Sequence, residues 1–278
     1  MKKKWLSVPY GIWALLFTII PLLLIAVYSF CSRSGYGQIV YTFTLENYIK
    51  FMEPIYINVL INSLMLALKS TLICFILGYP MAYILSRSDM NKRNLLILLF
   101  VLPLWTNTLL RTYAWMGILR EQGVINQVLI FLNIIDTPLK LLYTDKAVLL
   151  GMVYNFLPFM VLPIYSVLSK IDYSLIEASS DLGGTSFHTF RKVILPLSLP
   201  GVVSGITMVF MPCVSTFVIS DLLGGGQSIL LGNLIQNQFL VARNWQFGSA
   251  ISMIMMCIII ISMKILGNKD REDGGKLW

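Results

Sequence analysis

Apolar residues fall in runs of about twenty or more along this chain, and polar residues are gathered between the runs. The runs extend from about Val8 to Phe30, Val59 to Leu85, Leu95 to Met116, Ala147 to Leu168, Gly201 to Ile219 and Phe247 to Leu266. Each is long enough for a helix to cross a hydrocarbon layer of roughly 30 Å. The pattern therefore predicts six spans. The first run is too long for the apolar part of a signal peptide, and no small-x-small cleavage site follows it, so it is expected to remain as a span. Pro158 and Pro163 in the fourth run and Pro212 in the fifth are expected to bend their helices, since each removes a backbone hydrogen bond.

The connections differ in character. Residues 31–57 carry Arg33, Glu46, Lys50 and Glu53 among aromatics, which suits an outer loop with a helix lying in the interface. Residues 86–94 are short and basic. In 117–146, Val124, Ile125, Val128, Leu129 and Leu132 repeat at helical spacing, so a surface helix is expected there. Gly224, Gly225 and Gly226 precede a last outer segment, 227–246. No Lys-Ser or Lys-Thr follows them, so they read as a turn rather than a phosphate loop.

The longest polar connection, 172–201, reads as two short helices around a glycine corner. Ser174 with Glu177 has the spacing of a capping box. Leu175, Ala178 and Leu182 form one apolar face. Gly183 and Gly184 stand where a helix stop needs positive φ. Thr185 or Ser186 caps a second helix carrying Phe187, Phe190 and Val193, which Pro196 and Pro200 are expected to end before the next element.

Composition sharpens the membrane reading. Of 278 residues 57% are hydrophobic and 12% charged, with mean hydropathy +0.77, whereas soluble domains carry about twice that charge. The six spans leave no room for a soluble ATPase or a separate binding domain. The net charge of +8 acts as a topology signal. Lys2, Lys3, Lys4, Arg87, Lys92, Arg93, Lys170, Arg191, Lys192, Lys264, Lys269, Arg271 and Lys276 all fall on one side of the threading. Both ends and the 172–201 connection are then expected to be cytoplasmic. No basic run interleaved with aromatics points to nucleic acid. Cys31, Cys74, Cys213 and Cys257 form no CxxC pair and are expected to pack in apolar surroundings. Lys69, in the middle of the second run, is a functional candidate that can also snorkel or pair within the bundle.

Catalytic chemistry is poorly provided for. His188 is the one histidine, and no carboxylate pair has an acid–base spacing, so an enzyme is not expected. A secondary transporter usually builds its pathway from two repeated halves, and this chain has no internal repeat. It reads as one half, which implies a partner. A channel subunit is a further alternative without a filter-like sequence to support it.

At Glu177, Ala178, Gly183, Leu195 and Pro196 the chain resembles the membrane subunits of type I ABC importers. These carry a cytoplasmic loop with Glu-Ala-Ala, a Gly four residues after the second Ala, and a later Leu-Pro. Here Ser179 stands for the second Ala and Val193 for the usual Ile. The resemblance implies an all-α membrane fold of the MetI-like type, a single transmembrane domain over 1–278, and a coupling loop between the fourth and fifth spans. It implies that Glu177, Ala178, Asp181, Gly183, Leu195 and Pro196 engage an ATP-binding subunit. No cofactor is expected on this chain, because ATP binds that partner. A bacterial inner membrane is the implied location.

Within that family the chain resembles the polyamine (spermidine/putrescine) branch, in the first of its two permease subunits. The matching segments are LENY at 45–48, PLWTNTLLRTYAW at 103–115, LPFMVLPIYS at 157–166 and SDLLGGGQSILLGNLIQNQF at 220–239. The implied partners are a second permease, a dimer of ATP-binding subunits, an extracytoplasmic binding protein and membrane lipid. Permeases for iron, thiamine, phosphate or sulfate share the coupling loop and stay open as alternatives. A polycation needs carboxylates and aromatic faces along its path. Asp221, read as the one outward-facing acid at a span end, and Trp105, Asn107, Tyr113 and Phe217 are candidates for that path. Arg111 also lies there. It would attract an anion, or hold the bundle by pairing with Asp221; capping of the next segment is the alternative role for Asp221.

Overall fold

The computed structural model describes residues 8–33 and 39–274, and Lys2, Lys3, Lys4 and Lys276 lie outside them. Five helices are long and apolar enough to cross a membrane: Gly11–Ser29, Pro54–Arg87, Asp145–Leu168, Ser186–Ser215 and Trp245–Ile265. A bent pair, Met90–Trp105 with Thr108–Phe131, makes a sixth if counted as one span. The chain groups into two compact units, residues 1–61 with 231–260 and residues 62–230 with 261–278.

In the first unit, α1 (Val8–Ala14) and α2 (Ile20–Ser29) are joined by a π-helical turn, Leu15–Ile19. A hairpin follows that the helical periodicities did not predict. Its strands β1 (Cys31–Arg33) and β2 (Ile39–Phe43) pair antiparallel, with an irregularity between Cys31 and Ser32. The β-branched and aromatic run IVYTF supplies strand preference, and GYG precedes it. Next comes α3 (Glu46–Phe51). The LENY segment closes this corner: Asn47 Nδ2 donates to the Ser29 and Cys31 carbonyls at 3.1 and 3.0 Å, and Tyr48 OH meets Ser29 Oγ at 2.8 Å. The first of these bonds satisfies the carbonyl of Ser29, the last residue of α2, and the second ties in Cys31 at the start of β1. Phe51, Leu231, Phe247 and Ile251 form the buried core, drawn from α3, α13 (Leu231–Leu240) and α14 (Trp245–Gly274). Lys50 Nζ lies 4.9 Å above the Phe247 ring. Cys31 is buried, but Cys257 on α14 is exposed, contrary to the expectation of packing. Its position on a membrane-length apolar helix leaves it on an unpacked face.

The second unit holds α4 (Pro54–Arg87) from Asn62 onward, α5 (Met90–Trp105), α6 (Thr108–Leu119), α7 (Val124–Phe131) and α8 (Asp145–Leu168). Then come α9 (Tyr173–Asp181), α10 (Ser186–Thr189), α11 (Leu195–Ser215) and α12 (Val218–Gly224). The third span is not one rod. Its two parts meet at 95°. Thr106 and Asn107 are extended there, and both find local partners: Thr106 Oγ1 donates to the Pro103 carbonyl at 2.8 Å, and Asn107 Oδ1 accepts from Leu109 N–H at 2.8 Å. Hydroxyl and amide side chains that satisfy backbone groups locally compete with helix continuation, and Asn107 caps α6.

The principal packing in this unit is α8 against α11. Gly201 and Gly205 lie four apart on one face of α11. A Cβ on Gly201 would stand 3.0 Å from the Pro163 carbonyl oxygen, and one on Gly205 would stand 2.8 Å from Met160 Sδ and 3.1 Å from its carbonyl oxygen. Small residues at this spacing let two membrane helices approach closely. Gly205→Leu is expected to destabilise the unit by about 1–3 kcal/mol through overpacking, read as a lower thermal midpoint of the purified protein in detergent. Gly205→Ala should lie between the two.

Candidate functional site

The 172–201 connection begins with Asp172, not with Ser174. Asp172 has extended backbone, and its Oδ1 accepts the Ser174 N–H at 3.0 Å. That backbone donor holds the Asp172 carboxyl below the usual carboxylate range. The depressed value means the capping contribution is present above the unfolded carboxylate pKa of about 3.9 and is lost only as pH falls through the lower folded value. Near neutrality the cap is constant. With the helix starting at Tyr173, Ser174 is its second residue and Glu177 its fifth. The expected capping box does not form, because Glu177 is too far along to reach back to the cap. Glu177 and Asp181 are exposed, and neither makes a side-chain bond among the described residues.

The corner is a Schellman closure. Gly184 N–H donates to the Ser179 carbonyl at 2.9 Å and Gly183 N–H to the Ser180 carbonyl at 2.9 Å, with Gly183 at φ +79°. A Cβ on Gly184 would stand 2.6 Å from the Ser179 carbonyl oxygen, so the second glycine is needed for room. Thr185 then caps α10, accepting the His188 N–H at 3.3 Å, and Ser179 Oγ meets Thr189 Oγ1 at 2.8 Å across the corner.

Pro196 and Pro200 do not end the second arm. Helix runs on from Ser186 to Ser215 through a π-helical turn at Phe190–Ile194. Leu195 N–H bonds the Phe190 carbonyl five residues back. This widened turn immediately precedes Pro196, whose ring needs space and whose nitrogen has no proton to give. Leu195 and Pro196 therefore open α11 inside an unbroken helix, and the fifth span starts well before Gly201. The tip carries exposed apolar groups: Leu182 is 90% and Phe187 72% exposed. Leu175, Ala178, Leu182, His188, Lys192 and Val193 line a shallow groove there of about 330 Å³.

Two ends of this unit can be told apart. Arg87, in the basic 86–94 connection, lies over the Tyr173 ring at 5.4 Å, so that connection and the 172–201 loop share one end. At the other end, Ser228 Oγ donates to Asp145 Oδ1, and Tyr143 N–H donates to the Leu223 carbonyl at 2.9 Å. Gly225, at φ +55°, ends α12 directly against the Tyr143 ring, where no side chain would fit. The glycine run is a turn, as its sequence suggested.

The residues expected along a substrate path are partly brought together. Helices α6 and α12 pack against each other, so Arg111 and Tyr113 share a neighbourhood of elements with Phe217 and Asp221. Trp105 and Asn107 sit at the break before α6. Trp105 is 78% and Tyr113 54% exposed. The Arg111–Asp221 ion pair does not form among the described residues. Arg111 Nη2 donates to Thr108 Oγ1 at 3.2 Å, while its Nε and Nη1 are buried without partners. Asp221 is not a cap: it lies inside α12, whose N-cap position is Phe217.

Asp221 is also not the one acid at the end of the unit opposite the 172–201 loop. Asp145 occupies the first turn of α8, and it lines a pocket of about 170 Å³ with Asn62, Lys69, Gln227 and Ser228. The signal for it was Thr144, whose side chain caps α8 by accepting from Ala147 N–H at 3.2 Å. A Thr-Asp pair before an apolar run marks a helix start with an acid in its first turn. Lys69 is exposed and faces this pocket.

Comparison with known proteins gives concordant matches. Residues 1–268 match the family model described as binding-protein-dependent transport system inner membrane component. The chain is 42% identical over 251 residues to the spermidine/putrescine transport system permease protein PotB of Haemophilus influenzae, covering 89% of this chain and 88% of that protein. It is 40% identical over 259 residues to PotB of Escherichia coli K12, covering 93% and 94%. Its fold matches a chain in the crystal structure of a bacterial ABC transporter that imports the acidic polysaccharide alginate. The TM-score is 0.81 at 14% identity, over 96% of this chain and 94% of that one.

Proposed function

The chain belongs to the family of binding-protein-dependent transport system inner membrane components, and from that premise we propose that it is one permease subunit of an ATP-driven importer of polyamines. The observation that carries the coupling role is the unbroken helix from Ser186 to Ser215. It makes the second arm of the loop and the fifth span a single element. Motion applied at the exposed corner of Leu182 and Gly183 then reaches the membrane without an intervening joint.

In this reading residues 1–278 serve as one transmembrane domain with both ends cytoplasmic. An ATP-binding subunit docks on α9 and the corner, with Glu177 and Asp181 offering charge and Leu182 and Phe187 apolar surface. A second permease completes the pathway, and an extracytoplasmic binding protein delivers the cargo. ATP is hydrolysed on the partner. Trp105, Tyr113 and Phe217 offer ring faces, and Asp221 and Asp145 offer carboxylates, to a linear polycation. The identity to PotB over nearly the whole chain supports the polyamine assignment.

Arg111 supports a second reading, an anion importer, because two of its buried N–H groups lack acceptors. One experiment separates the two. The chain is co-expressed with its partner subunits, reconstituted in proteoliposomes, and supplied with labelled spermidine or labelled sulfate. ATP-dependent spermidine uptake is expected, with no ATPase activity from the chain alone. Sulfate uptake in place of spermidine would overturn the cargo. A lone chain that transports without any ATPase would overturn the importer reading itself.

A further inference from the structure

Loop 172–201 is covalently joined to α8 and α11, yet its side chains grip a third span. Phe190 packs edge-on against Tyr79 of α4, with ring centroids 5.7 Å apart at 89°, and against Tyr83 at 6.4 Å and 88°. Tyr79 OH meets Ser198 Oγ of α11 at 2.9 Å, with both groups buried. At the start of the first arm, the Arg87 guanidinium is near two rings, 5.7 Å from Tyr83 and 5.4 Å from Tyr173. Both distances are within the reach of a cation–π contact. Arg87 is the last residue of α4, and Tyr173 is the first of α9. The base of the loop is thus tied to α4 at each arm, while the corner beyond it is free.

We infer that α4 is driven directly by the coupling loop, and that Arg87 is the positioning residue that aligns α9 with it. This rests on the reading of the chain as a permease with a docked ATPase. The physical logic is that coupling needs a contiguous contact that both states of the loop can bias. Edge-on ring packing fixes the angle of the second arm against α4. Arg87 reaches one ring on each element, Tyr83 on α4 and Tyr173 on α9, so it resists rotation of the first arm while leaving the helix itself intact. Without it, α9 loses this tie to α4 when the ATPase moves.

The test is the ratio of spermidine imported to ATP hydrolysed by the full complex in proteoliposomes. Arg87→Ala is expected to lower that ratio by about fivefold, with ATP hydrolysis kept within about twofold. Tyr173→Leu, which leaves Arg87 in place, should do the same, whereas Tyr173→Phe keeps the ring and should behave as wild type. Arg87→Lys retains a cation and should recover part of the loss. If Arg87→Ala does not assemble, Tyr173→Leu against Tyr173→Phe decides the matter. An unchanged ratio in Arg87→Ala, or an equal loss in Tyr173→Phe, would overturn the inference and leave the permease reading standing. A wild-type chain that recruits no ATPase would instead overturn that reading.

Discussion

Gly183→Val is expected to abolish uptake while the protein still inserts and accumulates in the membrane. Gly183 sits at φ +79°, a region a β-branched residue enters only at a cost of about 1–3 kcal/mol. A Cβ there would meet nothing within 4 Å, so the effect comes from the backbone and not from a clash. The strain falls on the two Schellman bonds, and the surface proposed to meet the ATPase is re-aimed. This origin fixes the order of the variants. Asn visits the left-handed region more readily than other side chains, so Gly183→Asn should retain most activity, with Ala intermediate. Glu177→Lys is expected to give the same uptake defect by a different route. Its side chain is exposed and bonds to no described residue, so reversing its charge leaves the helix intact and affects only what docks there. Uptake is measured in vesicles against the amount of inserted protein. Wild-type uptake by Gly183→Val would reduce the loop to a connector.

Asp221→Asn is expected to reduce polyamine uptake roughly tenfold, equivalent to about 1.4 kcal/mol, with assembly and basal ATP hydrolysis preserved. Asp221 is exposed, so its charge is available to a cation that reaches this end of the unit, and the attraction is screened by salt. The absence of an Arg111–Asp221 pair among the described residues makes this a clean substitution. No structural partner is left with an uncompensated charge, so Arg111→Gln should not rescue it. Asp145→Asn is the informative companion, because Asp145 shares its pocket with Lys69 and accepts from Ser228. Unchanged uptake in Asp221→Asn alone moves the entry carboxylate to Asp145. Unchanged uptake in both removes the support that these acids give to a cationic cargo.

The spans were legible because bilayer crossing demands long apolar runs: four of the six runs correspond to continuous helices, and the fifth run, Gly201–Ile219, overruns its helix, which ends at Ser215. The third did not announce its break. Pro103 alone need not stop a helix, and the bend depends on Thr106 and Asn107 finding backbone partners, which a hydropathy pattern does not encode. The same limitation moved the loop's first cap. Ser174 and Asp172 are both good caps, and only the extended backbone at Asp172 decides between them. The glycine corner was readable because positive φ restricts residue choice so strongly. The β-hairpin and the Asn47 clamp went unread for different reasons. The strand run is short, and a side-chain amide reaching two carbonyls across a corner leaves no periodic trace. Gly201 and Gly205 also went unread as a small-xxx-small pair, although their spacing is a sequence signal.

The continuity of Ser186–Ser215 has a consequence in simple geometry. Thirty residues of helix form a rod of roughly 45 Å at 1.5 Å per residue. If such a rod pivots near its middle, a tilt of about ten degrees carries each end through roughly 4 Å, in opposite directions. The end at the 172–201 loop moving inward then obliges the opposite end to swing out. Closing one mouth of a passage and opening the other becomes a single displacement, with no second signal required to keep the two in step.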